Sequence, residues 1–164
     1  CQGMLPIVAY NYASGNTVRM KEVIRTARRV GLLISAVCLV FFEAFAPNAS
    51  RIFLSTSSKQ AQTALQTIAY AAVFLRIRCT ASPVQFLNFH TSNCMQAMGY
   101  GKGTLLHALV RELGFYIPLM FLLNHLFGTP GLVSAIVVGE ALGAAFALLL
   151  FRHWKKKHMA EKVA

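Results

Sequence analysis

The sequence predicts an all-α integral membrane protein: a helical bundle of about four full transmembrane helices behind a truncated first one. Three observations carry this. The first is composition. Of 164 residues, 56% are hydrophobic and 13% charged, with a mean hydropathy of +0.54. A soluble domain carries about 25% charged residues. The second is the recurrence of apolar runs at 30–46, 104–127 and 131–151, each close to the roughly 20 residues that cross a bilayer. The third is the placement of charge. Sixteen Lys and Arg face five acidic residues, all Glu, giving a net charge of +11. Such a charge raises nucleic acid as a partner until its positions are sorted.

Residues 1–13 open inside an apolar stretch too short to span a bilayer. They lack the basic leader and cleavage pattern of a signal peptide. The expectation is a helix cut near its start, with more protein upstream. Residues 19–29 carry Arg19, Lys21, Arg25, Arg28 and Arg29, the start of an amphipathic basic helix at the membrane interface. As a topology anchor it needs no specific lipid. The span 30–46 follows, bounded by Arg28-Arg29 and Pro47-Asn48, with Glu43 near its external end. Residues 47–62 are expected as an external loop.

The stretch 63–98 is apolar but long, with Arg76, Arg78 and Pro83 in its middle. It reads as two short spans or as one helix kinked at Pro83. The basic residues decide. With one span, eleven of them fall on one side: the five of 19–29, Lys102, and Arg152, Lys155, Lys156, Lys157 and Lys162. Only Arg51 and Lys59 fall on the other. Two spans would erase the bias, so the positive-inside rule favours one kinked helix. It also accounts for the net charge and sets nucleic acid aside.

The turn Gly99-Tyr100-Gly101-Lys102-Gly103 links antiparallel helices, the span 104–127 follows, and Thr129-Pro130-Gly131 turns into 131–151. At about 1.5 Å per residue that last run reaches roughly 31 Å. The basic tail 152–164 lies on the cytoplasmic side. The whole chain, 1–164, reads as a single multi-pass membrane domain of the cell membrane.

Several polar residues remain inside the apolar spans. Arg78, Gln85, Asn88, Ser92 and Gln96 fall within an arc of about 80° on a helical wheel. Facing lipid would leave them unsatisfied. They serve either interhelical hydrogen bonds or a water-filled cavity, and five positions over about five turns fit a wet pathway better. Glu112 and Glu140 lie near the middle of their spans, where carboxylates are functional candidates. The structural alternative is pairing with Arg111 or Arg78. Ala135, Gly139, Gly143 and Ala147 recur every four residues and permit close helix packing.

Enzyme readings fail. The five histidines form no metal-spaced cluster, and the four cysteines are scattered without a C-x-x-C. Gly101-Lys102-Gly103-Thr104 lacks the spacing of a phosphate loop. No cofactor is expected.

The motifs taken together resemble one family. Gly3-Met4-Leu5-Pro6-Ile7-Val8-Ala9-Tyr10-Asn11-Tyr12, then Gly15-Asn16 and Arg19, is similar to the eighth helix of the multidrug and toxic compound extrusion (MATE) transporters. Leu75-Arg76-Ile77 with Pro83 resembles their tenth helix, and Gln96-Ala97-Met98-Gly99 its exit. Arg111 with Ile117-Pro118 resembles the eleventh, and the stretch from Gly131 to Glu140 the start of the twelfth. The family's Gly-Ala after Tyr-Asn-Tyr is Ala13-Ser14 here, and Leu132-Val133 stands where a tryptophan is common.

The resemblance implies an exporter of two six-helix lobes around a central cavity. It would exchange small organic cations or other toxic compounds for inward Na⁺ or H⁺ by alternating access. This chain would be most of the C-terminal lobe, lying in the bilayer against a missing N-terminal lobe. The expected cavity face is Gln85, Asn88, Ser92 and Gln96, with Tyr10 and Asn11 near its cytoplasmic end and Arg78 toward the outside. Family members couple through carboxylates in the first helices or in the seventh and tenth. The stretch 62–98 holds no acid, so coupling is expected in the absent part, with Glu112 and Glu140 as substitutes. Two alternatives stand beside this. One is a lipid-linked saccharide flippase of the same superfamily, to which Arg76, Arg78 and Arg111 would suit an anionic substrate. The other is a membrane scaffold subunit that carries no solute.

Overall fold

A computed structural model describes the backbone of residues 2–53 and 61–161 and the side chains of 2–45, 67–154 and 156. Among the described residues the chain is helical throughout, with short turns. A 3₁₀ turn (Gln2–Met4) leads into α1 (Leu5–Ala13), followed by α2 (Thr17–Phe53), α3 (Ala61–Thr80) and α4 (Ser82–Ala97). Next come α5 (Gly101–Leu109), a π-helical segment (Val110–Tyr116), α6 (Ile117–Phe127) and α7 (Thr129–Glu161).

Three boundaries differ from the sequence expectation. The basic segment and the first full span form one helix, and α2 runs past Pro47 to Phe53. A proline in a membrane-type helix removes one hydrogen bond without ending the helix when neighbours support it. The expected loop 47–62 is therefore helical at both ends, and residues 54–60 lie outside the described residues. The tail is also helical as far as Glu161.

The stretch 63–98 breaks at Ala81. Pro83 sits in the first turn of α4, where its missing N–H leaves no helical bond unmade. The chain carries across the break through Ala81 N–H to Arg78 O (3.3 Å) and Gln85 N–H to Ala81 O (2.8 Å). α5, the π segment and α6 form one rod, Gly101–Phe127. Within it the N–H of Ile117 donates to Glu112 O, five residues back. Pro118 offers no N–H, and its ring would press on the carbonyl of Gly114. Widening the preceding turn moves that carbonyl aside. Gly128, at φ +66°, ends the rod with its N–H on Asn124 O. α7 folds back so tightly that a Cβ on Gly131 would enter the Leu123 carbonyl.

α4 is the central helix, packed by α1, α2, α5 and α7. It buries Asn88, His90, Thr91, Cys94 and Met95. On α2, Gly31 lies against the Phe86 ring with no room for a side chain. A hydrophobic core closes one end of the bundle: Met4, Val8, Met20, Cys94 and Met98 surround Trp154, which stacks on Tyr100 at 5.1 Å. The outer surface is apolar. Leu33, Val37 and Val40 on α2, Phe121 on α6 and Leu149 on α7 are all more than half exposed. Water would not tolerate that surface, whereas hydrocarbon or further helices would. The rod Gly101–Phe127 and the stretch Thr129–Trp154 of α7 are each long and apolar enough to cross a membrane.

Candidate functional site

The polar residues of the spans converge where α4, the π segment and α7 meet. The small-residue stripe of α7 makes this possible. A Cβ on Gly143 would lie 2.9 Å from Arg111 Cγ, and one on Gly139 would lie 3.2 Å from Tyr116 Cδ2. With glycine at both positions, α7 approaches closely enough for its carboxylate to reach two neighbours.

That carboxylate is Glu140, a residue only 7% exposed. Asn88 Nδ2 donates to Glu140 Oε2 at 2.6 Å and to the Glu140 backbone oxygen at 2.9 Å. Arg111 Nη1 lies 3.5 Å from the same Oε2. Arg111 also donates through Nη2 to Glu112 Oε1. Its guanidinium stands 5.5 Å from the centre of the Phe89 ring. Burying one charge alone would be costly, but here a cation, an amide and a second carboxylate share the load. Asn88 Oδ1 and Arg111 Nε remain buried without a hydrogen-bond partner.

A second bridge lies one turn along. His107 Nδ1 is 2.8 Å from Ser92 Oγ, and its Nε2 is 3.2 Å from Gly143 O. A carbonyl only accepts, so Nε2 carries the proton and Ser92 donates to Nδ1 in the neutral ring. α4, α5 and α7 are thus tied through one imidazole.

The expected single polar face of α4 is therefore divided. Asn88 is fully buried and committed to α7, and Ser92 is committed to His107. This is interhelical bonding, since packed helices cover that part of the arc. Gln85 instead accepts a bond from Arg78 Nη2 at 3.3 Å across the α3–α4 break. Arg78 and Gln85 join Arg111, Glu112, Tyr116 and Glu140 around a polar cleft of about 200 Å³. Gln96 is exposed at the far end of α4. Tyr10, 74% exposed, and Asn11 line a separate hollow with Pro6, Ile7 and Arg19, and Asn11 Nδ2 is spent on Ile7 O at 2.8 Å. Arg76 pairs with Glu43 at 3.7 Å. Among the described residues, Arg78 meets an amide and no carboxylate.

Two features escaped the sequence reading. His107 has its partners on other helices, so spacing along its own helix hides it; its position inside an apolar run was the available signal. The π segment was signalled only by Pro118, placed after two charged residues within a span. Wide turns of this kind recur at functional sites.

Comparison with known proteins adds the family. The sequence model of the MatE family matches residues 1–122. The multidrug export protein MepA of Staphylococcus saprophyticus is 27% identical over 150 residues, which cover 92% of this chain and 31% of that protein. MepA of Staphylococcus aureus is 29% identical over 151 residues, again 92% of this chain and 31% of the relative. MepA of Staphylococcus haemolyticus is 25% identical over 99% of this chain and 34% of its own. The chain thus spans about a third of the length of the curated relatives it matches. Among solved structures, an inward-facing MATE family multidrug resistance transporter of the MOP superfamily superposes with a TM-score of 0.82 at 20% identity, covering 94% of this chain and 36% of that one. The Vibrio cholerae MATE transporter VcmN in its bent form gives 0.78 at 17% identity, over 92% and 32%. At these identities the two structures speak to the fold. With well over half its length matched by the family model, the chain belongs to the MatE family, the family of the MATE integral membrane transporters.

Proposed function

We propose that this chain works within a secondary exporter of the cell membrane. The exporter exchanges organic cations or other xenobiotics for inward Na⁺ or H⁺ by alternating access, with the C-terminus on the cytoplasmic side. The observation that carries the reading is Glu140, a buried carboxylate tied to two other helices, beside a polar cleft in an otherwise apolar bundle. Intramembrane carboxylates mark ion and substrate paths. The names of the relatives, multidrug export proteins, support the substrate class.

In this reading Gln85 and Arg78 line the path, and Glu112 and Glu140 are the candidates for the coupling ion. Glu112 is the more open, with its side chain 53% exposed. Tyr10 and Asn11 with their hollow, and Gln96, contribute at the other end. Asn88 and Ser92 hold the wall from behind. The flippase alternative is not favoured. The cleft sets Arg78 and Arg111 against Glu112 and Glu140, and Arg76 pairs with Glu43 outside it, so the cleft lacks the cationic excess that an anionic substrate would need.

The test is reconstitution of the protein that carries this chain into vesicles, with ethidium as solute and an imposed Na⁺ or proton gradient. The expected result is gradient-driven counterflow, reduced about tenfold or more by Glu112→Gln or Glu140→Gln, since a neutral amide no longer exchanges the ion. Absence of flux under either gradient would reject the exporter. Undiminished coupled flux in both variants would remove these two carboxylates from coupling.

A further inference from the structure

At the end of the bundle that holds the Trp154 core, a hollow of about 250 Å³ lies between α2, the end of α4 and α7. Its walls are of two kinds. Lys21, Arg25 and Arg28 stand on one face of α2, and Met20, Met98 and Phe151 supply apolar surface. Met20 and Met98 are almost completely buried. The three cations fall at i, i+4 and i+7, so their heads point the same way. Among the described residues none of the three has a carboxylate partner. Glu22, the acid on this helix turn, lines a different hollow with Arg19.

The depth of the hollow matters as much as its charge. Directly after Arg28-Arg29, α2 turns from basic to apolar at Val30. That change marks the level where hydrocarbon gives way to headgroups. A ligand seated there meets three cations of α2 on one side and the apolar surface of Ile24 and Phe151 on the other.

We propose that this hollow is a binding site for the phosphodiester headgroup of an anionic glycerophospholipid. Lys21, Arg25 and Arg28 take the phosphate oxygens, and the upper acyl chain lies on Ile24 and Phe151. A bound lipid would tie α2 to α4 and α7 at the end of the bundle opposite Pro83, without entering the polar cleft. Basic side chains near a membrane surface attract anionic lipid additively. What distinguishes a site from diffuse attraction is that three particular side chains carry the effect.

The test uses the purified protein that carries this chain, in neutral detergent, with lipid binding read by native mass spectrometry and thermal melting. Palmitoyl-oleoyl phosphatidylglycerol is titrated against phosphatidylcholine of the same chains and against inorganic phosphate. Phosphatidylglycerol is expected to bind and raise the melting temperature, and the other two are not at equal concentration. Arg25→Gln should weaken phosphatidylglycerol about fivefold, and Lys21→Gln/Arg25→Gln/Arg28→Gln on the order of a hundredfold. The control removes equal charge outside the hollow, as Arg29→Gln/Arg152→Gln/Lys156→Gln, and should leave binding unchanged. The single variant keeps the result readable should the triple variant fail to insert. Equal losses in the control and pocket variants would overturn the proposal in favour of diffuse surface charge. Equal binding of both lipids, or saturation by inorganic phosphate alone, would overturn it as well.

Discussion

Asn88 grips Glu140 twice, donating one amide nitrogen both to the carboxylate and to the backbone carbonyl of the same residue. The two residues are 52 positions apart, so this contact ties the middle of α4 to the first half of α7. Asn88→Leu keeps the branched shape in a larger side chain and removes both bonds, leaving the buried Glu140 carboxylate short of a donor. The expected loss is about 1–3 kcal/mol. Asn88→Asp, which sets carboxylate against carboxylate, should cost more. Thermal melting of both variants in detergent checks the order.

Arg111 and Glu140 should behave as a buried pair rather than as two independent charges. Removing Arg111 strands the buried Glu140, which costs about 3–5 kcal/mol, whereas removing Glu140 leaves Arg111 its bond to Glu112 and should cost less. Removing both, as Arg111→Met/Glu140→Met, should cost less than removing Arg111 alone. Glu112 does not alter this, because its half-exposed side chain is solvated when Arg111 is lost. A double-mutant cycle measures the coupling. Additive losses would mean that the 3.5 Å pair contributes nothing.

Gly143 sets the approach of α7. A Cβ there would meet Arg111 Cγ at 2.9 Å, Cδ at 3.0 Å and Asn88 Oδ1 at 3.4 Å. Arg111 cannot swing away cheaply while its guanidinium is held by both carboxylates. Gly143→Val should therefore destabilise by about 1–3 kcal/mol through overpacking. Gly3→Ala, with nothing within 4 Å of its would-be Cβ, should be close to neutral. Parallel melts of the two variants decide.

His107 should be found as the Nε2–H tautomer. The Gly143 carbonyl can only accept, and the Ser92 hydroxyl is free to donate to Nδ1. Nitrogen NMR of labelled histidine reads the tautomer directly. Ser92→Ala should loosen that preference and cost about 1 kcal/mol. A ring protonated on Nδ1 alone would contradict the geometry.

The fold class was legible because apolar runs and charge sorting are properties of the chain alone. Glu112 and Glu140 were legible for the same reason, as acids within spans, and their pairing with Arg111 was one of the two readings open to them. The division of the α4 face was not. A helical wheel places Gln85, Asn88 and Ser92 on one arc, but which neighbour covers each part depends on how closely α7 and α5 approach, and that is set by Gly139, Gly143 and His107. The π segment was hidden because it is a shift of backbone hydrogen bonds around Pro118, which carries no periodicity signal. The continuation of α2 past Pro47 was hidden because proline marks a lost bond and leaves open whether packing compensates it.

The α4 face opens onto the polar cleft at Gln85 and is closed by packing at Asn88. Labelling with a membrane-impermeant maleimide tests it most directly, in the protein that carries this chain with its native cysteines replaced. Gln85→Cys is expected to be labelled and to be protected by transported solute, while Asn88→Cys stays unlabelled. Labelling of Asn88→Cys at the rate of Gln85→Cys, or no labelling of Gln85→Cys under any gradient, would contradict it.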